Sequence, residues 1–262
     1  MFELEIRNTE SEKNLGNERL NMLKKVIESL SDIVDQMEIK CTSAGLSIQV
    51  MDSMHVGMAD IFFSSDFFIN YRCDRDIQLG IPLKSFVMIL RGITLDNNSV
   101  LKFSCEDDPQ ILKIQHDMLN YHYESDITLY QIGSESYNIP AMEYSCVIKM
   151  PSDQFRTISK QIGSFGDFIS FECSKDTISF TQTADMLQNH MSLKADNEQV
   201  FIDSSQPISV EISMKYLNLI NKVSSLCPNI CLNLGDCSPV FFDVNLFGMG
   251  FFKLYVAPKA KE

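Results

Sequence analysis

Tyr144-Ser145-Cys146-Val147-Ile148-Lys149-Met150-Pro151-Ser152-Asp153-Gln154-Phe155-Arg156-Thr157-Ile158-Ser159-Lys160-Gln161-Ile162 sets a strand directly against a helix. Tyr144–Lys149 predicts the strand. Ser152 is placed to cap a helix, because its hydroxyl can accept a hydrogen bond from a backbone N–H left over at a helix start. Phe155, Ile158 and Ile162 recur at three and four residues and give that helix one apolar face. Outward from this pair the chain predicts a strand Phe168–Cys173, a turn at Lys175-Asp176 and a strand Thr177–Thr183. A second strand and helix follow at Ile208–Ile212 and Met214–Val223. The chain ends in strands Ile230–Leu234, Val240–Val244 and Met249–Val256.

The first half has the same order. Phe2-Glu3-Leu4-Glu5-Ile6 alternates as a strand. Leu23, Val26, Ile27, Leu30, Ile33 and Val34 then give a helical period. Strands follow at Ile39–Cys41, Leu46–Val50, Val56–Phe63 and Ile77–Ile81. Pro82 can open a second helix over 83–91, with Leu83, Phe86, Val87 and Leu90 on its apolar face. Two or three more strands run from Val100 to about Asp126, broken at Asp107-Asp108-Pro109. Each half thus reads strand, helix, strands, strand, helix, strands. This is a repeat of pattern with slight local identity. The predicted class is α+β, with two similar domains, 1–128 and 144–262, joined by an irregular linker over 129–143.

Composition narrows the function. No apolar run approaches the ~20 residues that span a bilayer. The amino end lacks a basic segment followed by an apolar core, so an intracellular protein with no membrane contact is expected. The eight cysteines form no Cys-x-x-Cys pair and stand far from the four histidines, so no metal site is expected and the thiols read as small buried hydrophobes. Gly248-Met249-Gly250 lacks the third glycine and the setting of a dinucleotide loop. No phosphate-cradling loop, nucleophile elbow or zinc-protease motif occurs. Asp52 near His55 has no nucleophile beside it. No enzyme and no cofactor are expected.

The net charge of −13 argues against nucleic acid until the bases are placed. Lys24 and Lys25 lie beside the stripe of the first helix. Lys84, Met88 and Arg91 lie opposite the apolar face of the second. Arg156 and Lys160 are one turn apart on the third, and Lys215 and Lys222 share a face of the fourth. Two readings fit this spacing. The four polar faces are merely solvated, or they form one positive surface that touches phosphates without reading bases. No aromatic residues interleave with the lysines, so single-strand stacking is not indicated.

Met51-Asp52-Ser53-Met54-His55-Val56, Tyr71-Arg72-Cys73-Asp74-Arg75, Glu143–Ser152, Lys215-Tyr216-Leu217-Asn218 and Tyr255-Val256-Ala257-Pro258-Lys259 occur in an order and spacing that resemble the proliferating cell nuclear antigen family of DNA sliding clamps. The resemblance covers nearly the whole chain. It implies a clamp fold: two domains with helices inside and antiparallel sheets outside, three chains closing head to tail into a homotrimeric ring around double-stranded DNA. It implies a processivity factor in the nucleus, acting in replication, leading strand elongation, repair and translesion synthesis. The partners implied are DNA polymerases, a clamp loader, and nuclease and ligase peptides.

By the same resemblance, the DNA-facing candidates are Lys24, Lys25, Arg91, Lys160, Lys215 and Lys222. Helix spacing adds Lys84 and Arg156. A hydrophobic pocket for partner peptides would use Met51, His55, Val56, Met58, Tyr137, Ile139, Pro140, Pro239, Tyr255, Val256, Ala257 and Pro258. Taken alone, Met51 and Val56 read as core. Lys175 would be a ubiquitin or SUMO acceptor; taken alone it is a turn lysine. Subunit contacts would pair edge strands at Met118–Asp126 and Met186–Lys194. Four departures stand out: Met88 where the family often has lysine, Tyr137 for an aliphatic, Cys237 for an acid, and an apparent insertion at Asn8–Glu18. A clamp-like checkpoint subunit of a heterotrimer and a scaffold with no DNA role are the alternatives.

Overall fold

The computed structural model describes residues 1–7, 15–96, 99–133, 137–163, 165–196, 198–236 and 238–260, with the backbone alone at 15–17. Cys237 and most of the Asn8–Glu18 segment lie outside them. From Leu15 on, that segment is the first turn of a helix.

Two compact units form. One comprises Met1–Met51, Asp60–Tyr137 and Gly248–Phe251. The other comprises Asp52–Ala59, Asn138–Phe247 and Phe252–Glu262. In chain order the elements are β1 (Phe2–Arg7), α1 (Leu15–Leu30), β2 (Gln36–Thr42), β3 (Gly45–Met51), β4 (Gly57–Ser64), β5 (Asn70–Cys73), β6 (Ile77–Pro82), α2 (Leu83–Gly92), β7 (Val100–Cys105), β8 (Ile111–Asp117) and β9 (His122–Thr128). Then come β10 (Cys146–Pro151), α3 (Ser152–Ile162), β11 (Phe168–Cys173), β12 (Thr177–Ala184), β13 (Leu187–Lys194), β14 (Phe201–Ser204), β15 (Ile208–Ser213), α4 (Met214–Ser224), β16 (Asn229–Leu234), β17 (Val240–Asn245) and β18 (Gly250–Val256).

The duplication is complete in topology. Strand order β5-β1-β7-β8-β9 is matched by β14-β10-β16-β17-β18, and β4-β3-β2-β6 by β13-β12-β11-β15. The two helices enter at the same places in each series. The pairings within β5-β1-β7-β8-β9 and within β13-β12-β11-β15 are antiparallel, as α+β predicts. Strands β5 and β14 are additions to the strands expected from sequence, whereas β13 falls on the edge strand that the resemblance placed at Met186–Lys194. β5 and β14 are four residues long, too short to show a period.

Within the first unit α1 packs on α2 and against β1. Leu20, Leu23, Val26, Ile27 and Leu30 of α1 and Leu83, Phe86, Val87 and Leu90 of α2 are buried. Phe86 meets the edge of Phe103 on β7 at 6.1 Å. Within the second unit α3 packs on α4. Phe155 and Phe171 both approach Phe242 on β17 edge-on, at 6.3 and 6.5 Å.

Three local expectations change. First, α1 stops at Leu30, where the N–H groups of Ile33 and Val34 both turn back to the Leu30 carbonyl. Ile33 and Val34 therefore lie outside the helix. Second, Pro151, not Ser152, is the N-cap of α3. Ser152 is buried, with its hydroxyl 3.2 Å from the Cys227 sulfur. Third, the cysteines are not all thiols. Cys146 and Cys173 form a disulfide. Helix α3 carries the chain away from β10 and β11 brings it back, so the two Cα atoms end 6.9 Å apart. Cys41, Cys105 and Cys227 are buried thiols as expected, whereas Cys73 and Cys231 are half-buried.

Strand β8 carries one costly residue. His116 is 3% exposed, and its Nε2 meets no hydrogen-bond partner among the described residues. Burial pushes its pKa below the ordinary histidine value. The unfolded chain therefore binds a proton more readily than the native one. The stability this contributes is present in full above about pH 6.5 and is lost as pH falls through the lowered native pKa. Exposed His122 on β9 works the other way: hydrogen bonds to Asp117 and Glu124 raise its pKa. His116→Leu should remove the first effect alone. In urea unfolding at pH 7.5 and 5.5, the variant should lose less stability on acidification, by up to about 1.4 kcal/mol per pH unit. Parallel losses would place the acid sensitivity elsewhere.

Candidate functional site

The basic residues predicted on the four helices fall into two groups. Some are tied to acids or a backbone carbonyl of their own unit. Lys84 at the start of α2 lies 2.8 Å from Asp35, with both side chains exposed. Arg91 in the last turn of α2 pairs with Glu28 of α1. Arg156 on α3 pairs with Asp153 one turn back, and its Nε is buried with no hydrogen-bond partner among the described residues. Lys24 is half-buried and donates to the Ile93 carbonyl beyond α2. Burial lowers its pKa. Lys24 thus closes the α1–α2 pair as much as it offers charge to solvent.

The second group faces solvent: Lys25 on α1, Lys160 on α3 and Lys222 on α4 are exposed. Lys160 has no carboxylate partner among the described residues. Lys215 is intermediate, half-buried in the first turn of α4 and 4.0 Å from an Asp52 oxygen. Met88 is 74% exposed on α2, so an apolar side chain interrupts the basic face there.

The residues expected to hold partner peptides are divided between the units. Met51 at the end of β3 and Tyr137 belong to the first, and both are half-buried. The Tyr137 N–H donates to the Gln49 side chain at 3.2 Å. Earlier in the linker, the Tyr130 N–H donates to the Gly80 carbonyl at 2.9 Å. A Cβ on Gly80 would lie 2.0 Å from the Tyr130 carbonyl, so this approach requires glycine.

The second unit holds the other ten. Asp52–Gly57 forms a tight turn. The Asp52 N–H donates to the Gly57 carbonyl and the His55 N–H to the Asp52 carbonyl, at 2.9 and 3.0 Å. His55 sits at φ 57°, in the left-handed region. The Val56 carbonyl accepts from the Ala257 N–H at 2.8 Å, which brings two predicted residues together from distant positions. Tyr255 stacks on Phe241 at 4.6 Å, and Phe241 stacks on Tyr144 at 5.8 Å. Met58, Ile139, Pro239 and Pro258 are half-buried, and His55, Pro140 and Ala257 are exposed. Val256 differs: its side chain is fully buried, so it supports the surface from beneath. Period two along β18 makes this unavoidable once Tyr255 faces out.

Beyond Pro258 the tail is pinned. The Lys259 N–H donates to the Glu211 carbonyl at 2.7 Å, and its ammonium lies 4.6 Å from the Phe168 ring centre. Lys175 is exposed in the β11–β12 turn, which closes through the Ser174 N–H to the Thr177 carbonyl.

Two of the sheet-edge strands match the segments expected to make subunit contacts. β9 ends one sheet of the first unit, and β13 ends one sheet of the second. Apolar side chains sit exposed at both: Tyr121 and Tyr123 at β9, Met186 and Leu187 at β13. These strands begin at His122 and Leu187, so Met118–Tyr121 and Met186 of the expected contact segments are turn residues.

Sequence reading passed over one constellation. Asp52 is 1% exposed. One carboxylate oxygen accepts from the Val56 and Gly57 N–H groups at 2.9 and 2.8 Å, and the other from the Tyr216 hydroxyl at 2.7 Å. Burial pushes the Asp52 pKa up, but these hydrogen bonds outweigh it and hold the carboxyl below its ordinary value. Tyr216 is among the largest fully buried side chains, and burial with the Asp52 bond raises its pKa. A tyrosine inside an apolar helix face was the available signal, because a buried phenol requires a partner.

Family models recognise both halves. One described as proliferating cell nuclear antigen, N-terminal domain, matches residues 12–137. One described as proliferating cell nuclear antigen, C-terminal domain, matches residues 138–259. A protein of Chaetomium thermophilum named proliferating cell nuclear antigen is 30% identical over 250 residues, covering 92% of this chain and 96% of its own length.

Proposed function

The chain belongs to the proliferating cell nuclear antigen family of sliding clamps, and from that premise we propose that three copies close into a ring that holds replication and repair enzymes on duplex DNA in the nucleus. The observation that carries the ring is that β9 and β13, each at the end of a sheet, both bear exposed apolar side chains. Unpaired edges of this kind are a hazard in a monomer and are removed by edge-to-edge pairing. Head-to-tail pairing of two different edges is heterologous, and it closes when the rotation fits. Light scattering of the pure chain should give a trimer mass, and the loaded ring should raise polymerase processivity on primed circular DNA. A stable monomer would favour a subunit of a heterotrimer, and a trimer without processivity a scaffold with no DNA role.

Such a ring acts by topology and needs no catalysis of its own. Lys25, Lys160, Lys215 and Lys222, with Lys24, Lys84, Arg91 and Arg156, would meet phosphates without reading bases. Weak, sequence-blind contacts suit sliding, whereas base contacts would act as brakes.

Partner peptides would dock on the second unit, where His55, Val56, Ile139, Pro239 and Tyr255 offer apolar surface to aromatic anchors. Ile139→Ala should weaken a peptide carrying glutamine, an aliphatic residue and two adjacent aromatics by about tenfold, since truncating a hot-spot side chain costs more than about 1 kcal/mol. Trimer mass should not change. Equal affinity in titration calorimetry would remove Ile139 from the surface. Lys175 is the proposed ubiquitin or SUMO acceptor; modified native protein bearing the mark on other lysines and never on Lys175 would refute it.

A further inference from the structure

We propose that Asp52 and Tyr216 form a lock that holds the Asp52–Gly57 turn in the shape a partner peptide meets, so that Tyr216 is a positioning residue of the docking surface. The inference rests on the docking reading above. Its own grounds are geometric. The turn has one interior anion, and every oxygen of that anion is used. Oδ1 fixes the backbone N–H groups of Val56 and Gly57, at the far end of the turn. Oδ2 is fixed in turn by the Tyr216 hydroxyl, from the first turn of α4.

The phenol ring cannot move away without loss. A Cβ on Gly57 would lie 2.2 Å from the ring, so glycine at 57 is what lets turn and ring meet. Val56 in turn accepts from Ala257, so a shift of the turn would be passed to the chain after Tyr255. Ser53, Met54 and His55, the exposed members of the turn, can face a ligand. Lys215 lies 4.0 Å from the locked carboxylate. One helix start therefore serves a proposed DNA-facing lysine and the docking turn together.

Tyr216→Phe tests this, because it keeps the ring against Gly57 and removes one donor. Asp52→Asn is the second variant, since it keeps the shape and removes the charge. Amide exchange should speed up at Val56 and Gly57 by about tenfold or more relative to β16 amides in the same protein. The affinity of the glutamine, aliphatic and paired-aromatic peptide should fall about threefold to tenfold, with trimer mass unchanged. A purely structural role would lower protection across α4 and β16 alike, and that result would overturn the lock. Unchanged protection at Val56 and Gly57 would also overturn it, whatever the affinity does. Ile139→Ala runs beside both variants. If it weakens the peptide while Tyr216→Phe speeds exchange without weakening the peptide, the positioning role falls and the docking reading stands. If Ile139→Ala has no effect, the docking reading falls by itself and the lock is judged on exchange.

Discussion

Phe242→Ala should cost about 3–5 kcal/mol, the range for truncating a fully buried phenylalanine. Phe242 is completely buried on β17 and receives the edges of Phe155 from α3 and Phe171 from β11. Phe171 also meets Phe180 edge-on at 5.6 Å, so the cavity would open in an aromatic cluster joining a helix to three strands. Domains hold only about 5–15 kcal/mol in total, so the loss is a large share of what keeps the second unit folded. Phe241 is the internal control. Period two turns it to the other face, where it is half-buried between Tyr144 and Tyr255. Phe241→Ala should cost markedly less and act instead on the orientation of Tyr255. Urea unfolding followed by exchange at β16 and β17 amides measures both. A Phe242→Ala loss under about 1 kcal/mol would mean that the aromatic cluster is not the core of this unit.

The same period explains what was legible from sequence. Alternation and helical spacing are local, so strands such as β17 and helices such as α3 could be placed within a residue or two, and the doubled order with them. What escaped depended on residues distant in sequence. Asp52 and Tyr216 are 164 positions apart, and nothing near either names the other. The Cys146–Cys173 disulfide depends on where β11 returns the chain after α3. Ser152 looked like a cap because the residue type is right, but Pro151 already supplies the turn into α3 and the hydroxyl faces Cys227. The proposed docking surface was legible only by resemblance: Val56 and Tyr255 carry no mark of their own, and a strand period alone could have set Val256 apart as buried. Charge was legible as a helix face, but not as a set of pairs, because Glu28, Asp35 and Asp153 had to be placed before Arg91, Lys84 and Arg156 could be seen as partly neutralised.

That pairing leads to the sharpest test of the proposed DNA-facing helices. Lys160→Ala should lower the dependence of duplex binding on salt by about 0.9 in log–log slope for each phosphate left without its lysine, and so by up to about 3 in a trimer. Lys84→Ala and Arg156→Ala should lower it less, because Asp35 and Asp153 already offset those cations, which then neutralise less phosphate charge and release fewer of the counterions condensed on the DNA. The converse follows. Asp153→Asn should steepen the slope by freeing Arg156 on the same face as Lys160, one turn away. These surface ion pairs hold little stability, so the variants should fold normally and the slope can be read without a folding correction. The measurement is fluorescence anisotropy of a short labelled duplex from low to moderate salt. Equal slopes for the native chain and Lys160→Ala would remove α3 from the DNA-facing surface. Equal effects of Lys160→Ala and Arg156→Ala would show that the acids leave the ring lining when DNA enters. On the proposed reading the net charge of −13 is no contradiction, because what DNA would meet is the local charge of the helix faces rather than the total.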